Sequence, residues 1–170
     1  VKPCLLTSMS LLFGIALVLI GLGFKVGAVP TQIWIPDVYQ GAPTPTTAFL
    51  SVGSKAAGFA LLLTFLTPVL NTPAVSGQVV FIITILAGAT LVFGNLAALA
   101  QDNLKRLLAY SSIAHAGFLL VPLATWAPSA QGVGELSGAQ VVAFYLATYL
   151  IMTFAAFFAL SAVSSAEASD

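Results

Sequence analysis

The stretch Gly21-Leu22-Gly23-Phe24-Lys25-Val26-Gly27-Ala28-Val29-Pro30 decides how this chain folds. It lies in an apolar run that starts at Leu5 and, carried through Pro30, reaches Val38. As one straight helix that run would be ~50 Å long, well beyond a hydrocarbon core of about 30 Å. Pro30 lacks an N–H, so it leaves the Val26 carbonyl without its helical partner, and its ring forces a kink. Gly21, Gly23 and Gly27 weaken the helix further. Non-helical backbone at membrane depth survives only when buried in protein or facing water, and broken helices of this kind line transporter sites. A plain proline kink between two lipid-facing halves is the competing reading.

Outward from that stretch, four more runs come close to the roughly 20 residues a membrane helix needs. They cover residues 47–66, 78–100, 104–126 and 140–161, the first of them stopped at Thr67-Pro68. Short linkers separate the runs: Gln40 to Pro45, Asn71-Thr72-Pro73, and Pro128 to Gly138. The 170 residues are 59% hydrophobic and 6% charged, with a mean hydropathy of +1.07. Soluble domains carry about 25% charged residues, so lipid is the solvent for most of this length. The sequence therefore predicts an all-α polytopic membrane protein with five transmembrane helices, the first (about 5–38) broken near Pro30.

A net charge of zero offers no field to nucleic acid. The single cysteine, Cys4, has no disulfide partner in the chain and reads as a small buried hydrophobe. Lys2 and the run to Phe24 could suggest a signal peptide, but the run is too long and no cleavage box follows. The chain opens on Val1 and reads as a fragment. Lys105 and Arg106 fall on the side that helices one, three and five end on, against Lys2 opposite. The positive-inside rule then makes the Asp37–Pro45 and Gln101–Arg106 loops cytoplasmic.

Two lysines stand where charge is costly. Lys25 lies near the middle of the first run and Lys55 near the middle of the second. A lysine at the bilayer centre costs at least ~2.5–3.5 kcal/mol, and the default reading of an intramembrane ionisable group is functional. The bland alternative is a structural ion pair. The five acids, Asp37, Asp102, Glu135, Glu167 and Asp170, all fall in loops or the tail, so a partner would come from outside the chain. In a low-dielectric interior the charged form of an amine is disfavoured, so such a lysine can take up and release a proton as nearby charges change. Ser51, Ser54 and Gly58 share a helical face around Lys55 at spacings of three and four. His115, the one histidine, has Ser111 a turn before it and Ser112 nearby. It reads equally as a proton shuttle or a hydrogen-bonded packing residue. Thr84, Asn95, Tyr145, Thr148, Tyr149 and Thr153 read as interhelical hydrogen-bond glue or water ligands. No dinucleotide loop, phosphate loop, cysteine cluster or pair of histidines is present, so redox chemistry is not expected in this chain.

Three stretches resemble the antiporter-like subunits of complex I, the NADH–quinone oxidoreductase. They are Gly21 to Pro30 with Trp34-Ile35-Pro36-Asp37-Val38-Tyr39-Gln40-Gly41-Ala42-Pro43-Thr44-Pro45, then Phe49 to Ala57, then Asn103 to Phe118 ending Ser111-Ser112-Ile113-Ala114-His115-Ala116-Gly117-Phe118. The wording looks most like the branch called subunit N, or subunit 2 in plastids and cyanobacteria. This resemblance implies a fourteen-helix bundle of two inverted repeats, of which helices seven to eleven are here. It implies a proton relay through Lys25, Lys55 and His115, supported by Pro30, Ser51, Ser54, Ser111 and Ser112. In the family, the broken-helix lysine pairs with a glutamate on helix five. The parent complex would use FMN, iron–sulfur clusters, NADH and quinone, none of them in this chain. Partners would be neighbouring antiporter-like subunits, the small membrane subunits and lipid, in a bacterial inner membrane or alternatively a thylakoid. Many relatives carry Pro-Phe-His where this chain has Pro30-Thr31-Gln32, and Gln32 cannot titrate. A multisubunit cation/proton antiporter shares the repeat and both lysines. A non-conducting scaffold would be more stable without them.

Overall fold

The computed structural model describes residues 2–125 and 137–167. The end of the fourth run at Trp126, the linker after it, Glu135 and Asp170 lie outside the described residues, as do the side chains of Lys2, Cys4 and Glu167. The described residues are helical: α1 (Lys2–Val26), α2 (Trp34–Gly41), α3 (Thr44–Phe49), a π turn (Leu50–Ser54), α4 (Lys55–Leu70), α5 (Ser76–Ala98), α6 (Leu104–Ala124) and α7 (Gly138–Glu167). Five stretches are long and apolar enough to span a bilayer: Met9–Val26, Thr44–Leu70, Ser76–Ala98, Leu104–Ala124 and Gly138–Val163. Large apolar side chains such as Phe13, Phe81, Phe144 and Phe158 point outward, as expected of a bundle whose solvent is lipid.

The first helix breaks where expected, by a different device. It ends at Val26, ahead of Pro30, because Gly27 takes φ +80°, the left-handed region. The amides of Gly27 and Ala28 both donate to the Gly23 carbonyl, at 2.8 and 2.9 Å, closing the helix with a glycine cap. A Cβ on Gly27 would also lie 2.1 Å from Cδ1 of Ile35. Pro30 follows a cis peptide bond inside the loop that comes next. The groups freed by the break find partners: Trp34 Nε1 donates to the Phe24 carbonyl (3.1 Å), and the Val29 amide donates to Thr90 Oγ1 on α5 (3.0 Å). This accounting is what a membrane interior demands.

The second span does not stop at Thr67-Pro68; α4 runs to Leu70 with Pro68 inside it. Proline there removes a single backbone bond, in the last turn, where Thr67 and Pro68 are exposed. The hydroxyls of Thr64 and Thr67 bond the carbonyls of Ala60 and Leu63 (2.9 and 2.7 Å).

The tightest pairing is α5 with α6, where the helices approach at Gly94 and Gly117. A Cβ on Gly94 would meet the Ala114 amide at 2.7 Å, and one on Gly117 the Leu91 amide at 3.0 Å. Two apolar cores result. The larger gathers α1, α4, α5, α6 and α7 around Phe59, Leu66, Ile83 and Leu119; the smaller joins α2, α3, α6 and α7 through Ile35, Tyr39, Ile113 and Phe157. Asn103 caps α6, accepting from the amides of Lys105 (2.9 Å) and Arg106 (3.2 Å). The two loops assigned to one side meet: Arg106 donates to Asp37 (2.8 Å) and Gln40 (2.9 Å), and Lys105 to the Ala42 carbonyl (3.1 Å).

Candidate functional site

Lys55 opens α4 directly after the π turn, with 4% of its surface exposed. π turns are uncommon and recur at functional sites, where they re-aim side chains. Here the turn brings Lys55 against α6. Its ammonium donates to both the backbone carbonyl and the hydroxyl of Ser112, the latter at 2.6 Å. The third side of the ammonium faces the Tyr149 ring, 5.3 Å from its centroid.

Ser112 Oγ also takes the Tyr149 hydroxyl of α7 at 3.0 Å and meets the Tyr39 hydroxyl of α2 at 3.3 Å. Four helices therefore converge on one serine oxygen, and Lys55, Ser112, Tyr39 and Tyr149 are all buried. Ser51, fully buried, lies beside Tyr39 and gives its proton to the Ala48 carbonyl (2.7 Å); Thr153 lies beside Tyr149. The ion pair among the described residues is Arg106 with Asp37, near the loops, so Lys55 is held by neutral partners. Among the described residues no opposite charge stands beside Lys55, whose partners are the Ser112 carbonyl and hydroxyl and the Tyr149 ring.

His115 stands a turn further along α6, half-buried. Its Nδ1 is 2.7 Å from the Tyr145 hydroxyl, and its ring centroid is 5.0 Å from that of Tyr149. Tyr149 thus touches both groups: its hydroxyl serves the Lys55 side and its ring packs on the histidine. Ser111 and Ser54 are half-buried and outside this hydrogen-bonded cluster.

Lys25 is placed differently. It sits in the last turn of α1, where a cation suits the helix dipole, and it is exposed on this bundle. Its stem runs past Gly58. The structure does not join it to Lys55 by any hydrogen bond among the described residues. Pro30 is exposed in the break. Gln32 is buried, its Oε1 without a partner among the described residues, beside a cavity of about 180 Å³ lined also by Asp37, Arg106 and Tyr110.

The glue assignment divides. Tyr145 and Tyr149 do bond across helices, whereas Thr84, Asn95 and Thr148 bond carbonyls of their own helices and are exposed. Tyr39 was not marked by the sequence, since nothing in its spacing announces a contact with a residue 73 positions away. Tyr145, Tyr149 and Thr153 did carry a signal: polar groups every fourth residue on one face of an otherwise apolar helix. Among the described residues no group of three or more His, Cys, Asp or Glu could hold a metal ion.

The model of a family described as NADH:quinone oxidoreductase/Mrp antiporter, transmembrane, matches residues 3–170. NADH-quinone oxidoreductase subunit N 1 of Opitutus terrae is 51% identical over 154 residues, which cover 91% of this chain and 29% of that protein. Among solved structures, respiratory complex I from Thermus thermophilus with bound aureothin holds a chain that is similar with a TM-score of 0.69 and 44% identity. That match covers 86% of this chain and 29% of the other. A membrane-bound sulfane sulfur reductase, an archaeal respiratory complex, gives a TM-score of 0.72 at 31% identity, over 86% of this chain and 28% of the other. The chain spans less than a third of the curated relatives it matches.

Proposed function

The chain belongs to the NADH:quinone oxidoreductase/Mrp antiporter transmembrane family, and on that premise we propose that it is part of a proton-translocating membrane subunit of an NADH–quinone oxidoreductase. Residues 1–170 form part of its proton-conducting domain. Lys25, Lys55 and His115 relay protons, with Ser51 and Ser112 lining the Lys55 step. Pro30 shapes the break, and Ser54 and Ser111 flank the path. The single observation that carries this reading is Lys55: a buried amine in a membrane helix, held by Ser112 and faced by the Tyr149 ring rather than by a carboxylate.

A proton arriving at neutral Lys55 makes an ammonium whose hydrogens are taken by Ser112. Loss of that proton toward the His115 side leaves the amine neutral, with a lone pair that can accept from the Ser112 hydroxyl. Either state fits without a fixed counter-ion. Lys25 stands on a face that other helices of the full-length subunit would cover, and a carboxylate there would pair with it. Electrons pass from NADH through FMN and iron–sulfur clusters to quinone in other subunits, and this chain answers to that chemistry at a distance. Its partners are the neighbouring membrane subunits and lipid, in a bacterial inner membrane or, for a cyanobacterial host, a thylakoid.

In the full-length subunit, reconstituted with its complex in vesicles, Lys55→Ala and Lys25→Ala should each lower proton pumping by about a hundredfold or more, the lower end of the scale of one lost proton-transfer group. Wild-type pumping in both variants removes the relay reading. A cation/proton antiporter is the second reading, since the family model covers both kinds of complex. The relatives named NADH-quinone oxidoreductase subunit N, 46–51% identical, favour the quinone enzyme. Sodium-dependent transport would reverse that preference. A passive scaffold is disfavoured by Lys55 itself, because a buried charge without function only destabilises.

A further inference from the structure

Among the described residues Ser112 Oγ has three hydrogen-bonding neighbours, for three positions, one donor and two acceptors. Lys55 Nζ lies at 2.6 Å, the Tyr149 hydroxyl at 3.0 Å and the Tyr39 hydroxyl at 3.3 Å. When Lys55 is charged, its ammonium can only donate, so it takes one lone pair of Oγ. Tyr149 donates into the other. The serine proton then has one direction left, toward Tyr39. When Lys55 is neutral, its nitrogen offers a lone pair and the serine hydroxyl turns to it. Tyr39 then donates its own proton into the acceptor position that the amine has vacated. No O–H bond breaks in this exchange; two hydroxyl hydrogens rotate and one proton has left Lys55.

We infer that Ser112 and Tyr39 are positioning residues of the Lys55 step, joined by a hydrogen bond whose direction reverses with the charge on the lysine. This rests on the proton-relay reading above and adds to it a receiver for the signal. Tyr39 stands on α2, the helix that resumes after the break, and its ring packs edge-on against Phe157 of α7, 6.3 Å between centroids. Thr47 Oγ1 approaches the Tyr39 carbonyl (3.4 Å), linking the chain that leads back to Lys55. The charge state of Lys55 is therefore reported, by one serine hydroxyl, to the far half of the broken helix. Tyr149, by contrast, donates in both states and acts as the fixed reference.

The test uses the assembled complex with the full-length subunit. Ser112→Ala and Tyr39→Phe should each lower proton pumping about tenfold, the scale of one buried hydrogen bond to a charged group. Ser112→Thr keeps the hydroxyl and should restore most of it. The double variant should be no worse than Ser112→Ala, because that variant already removes the bond that Tyr39→Phe removes. In redox-induced infrared difference spectra with ring-labelled tyrosine, a tyrosine C–O band should shift on turnover. It should vanish in Tyr39→Phe and in Ser112→Ala and return in Ser112→Thr, a readout that mere packing would not move. Wild-type pumping in Tyr39→Phe and Ser112→Ala, with Lys55→Ala inactive, overturns this inference and leaves the relay standing. Wild-type pumping in Lys55→Ala overturns the relay itself. If Ser112→Ala does not assemble, Tyr39→Phe, which keeps the ring, decides the matter.

Discussion

Two lysines of this chain are placed by two different faults in a helix. Lys25 precedes a full break, in which Gly27 turns the backbone left-handed and α1 ends. Lys55 follows a π turn, which widens the helix without ending it. A break leaves its lysine at a helix terminus, exposed on this bundle, whereas a π turn keeps its lysine within the packed interior. The freed backbone groups at the break call on Trp34 and Thr90, while the π turn keeps its backbone bonds largely local. The lesson concerns partners. Lys55 finds its partners, Ser112 and the Tyr149 ring, within these helices, whereas Lys25 is exposed on this bundle.

The severest way to break the comparison is at its hinge. Gly27→Val meets both the positive φ and the Ile35 side chain. The left-handed cost and the overpacking together should lower stability by about 3 kcal/mol or more. Thermal unfolding of the full-length subunit in detergent measures this. An unchanged midpoint would mean that the break does not depend on glycine, and the contrast with the π turn would lose its basis.

Arginine sharpens the contrast next. At Lys55 the interior is filled, and the larger guanidinium should cost about 1–3 kcal/mol through overpacking. At Lys25 the amine is exposed on this bundle, so Lys25→Arg overpacks nothing within it and should cost less than Lys55→Arg. Yield and melting of the two full-length variants decide. Equal damage at Lys25 would show that the missing helices pack as closely on it as these helices do on Lys55.

How much of this was legible in the residues follows the same divide. Apolar runs and their proline and glycine punctuation are local, so the five spans and the break near Pro30 could be read directly. Lys55 was legible because charge in lipid is costly wherever the chain goes. The cap at Gly27 was not separable from Pro30, since both weaken a helix and only the φ angle tells which acts first. Pro68 was misleading because a proline's effect depends on its distance from the helix end, and in the last turn it costs one bond. The convergence on Ser112 was beyond local reading. It depends on how α2, α4, α6 and α7 pack, and no spacing along the chain encodes that Tyr39 and Tyr149 meet the same oxygen.

The smallest effect tests whether the outer end of the break needs a lock. Arg106 ties α6 to α2 through Asp37, with side-chain exposures of 30% and 72%. A pair so open to water contributes about 0.2–1 kcal/mol, and salt screens it further. Asp37→Asn keeps the shape and a hydrogen-bond acceptor, and Gln40 still accepts from the same nitrogen of Arg106. The variant should therefore melt within about 1 kcal/mol of the parent and pump within about twofold, with the difference fading at high salt. Such a result would leave α2 held by its buried face, Ile35 and Tyr39, rather than by its charged rim. A larger loss, insensitive to salt, would mean that the position of α2 is set from the loops, and the hydrogen bond from Ser112 to Tyr39 would then depend on the Arg106 tie.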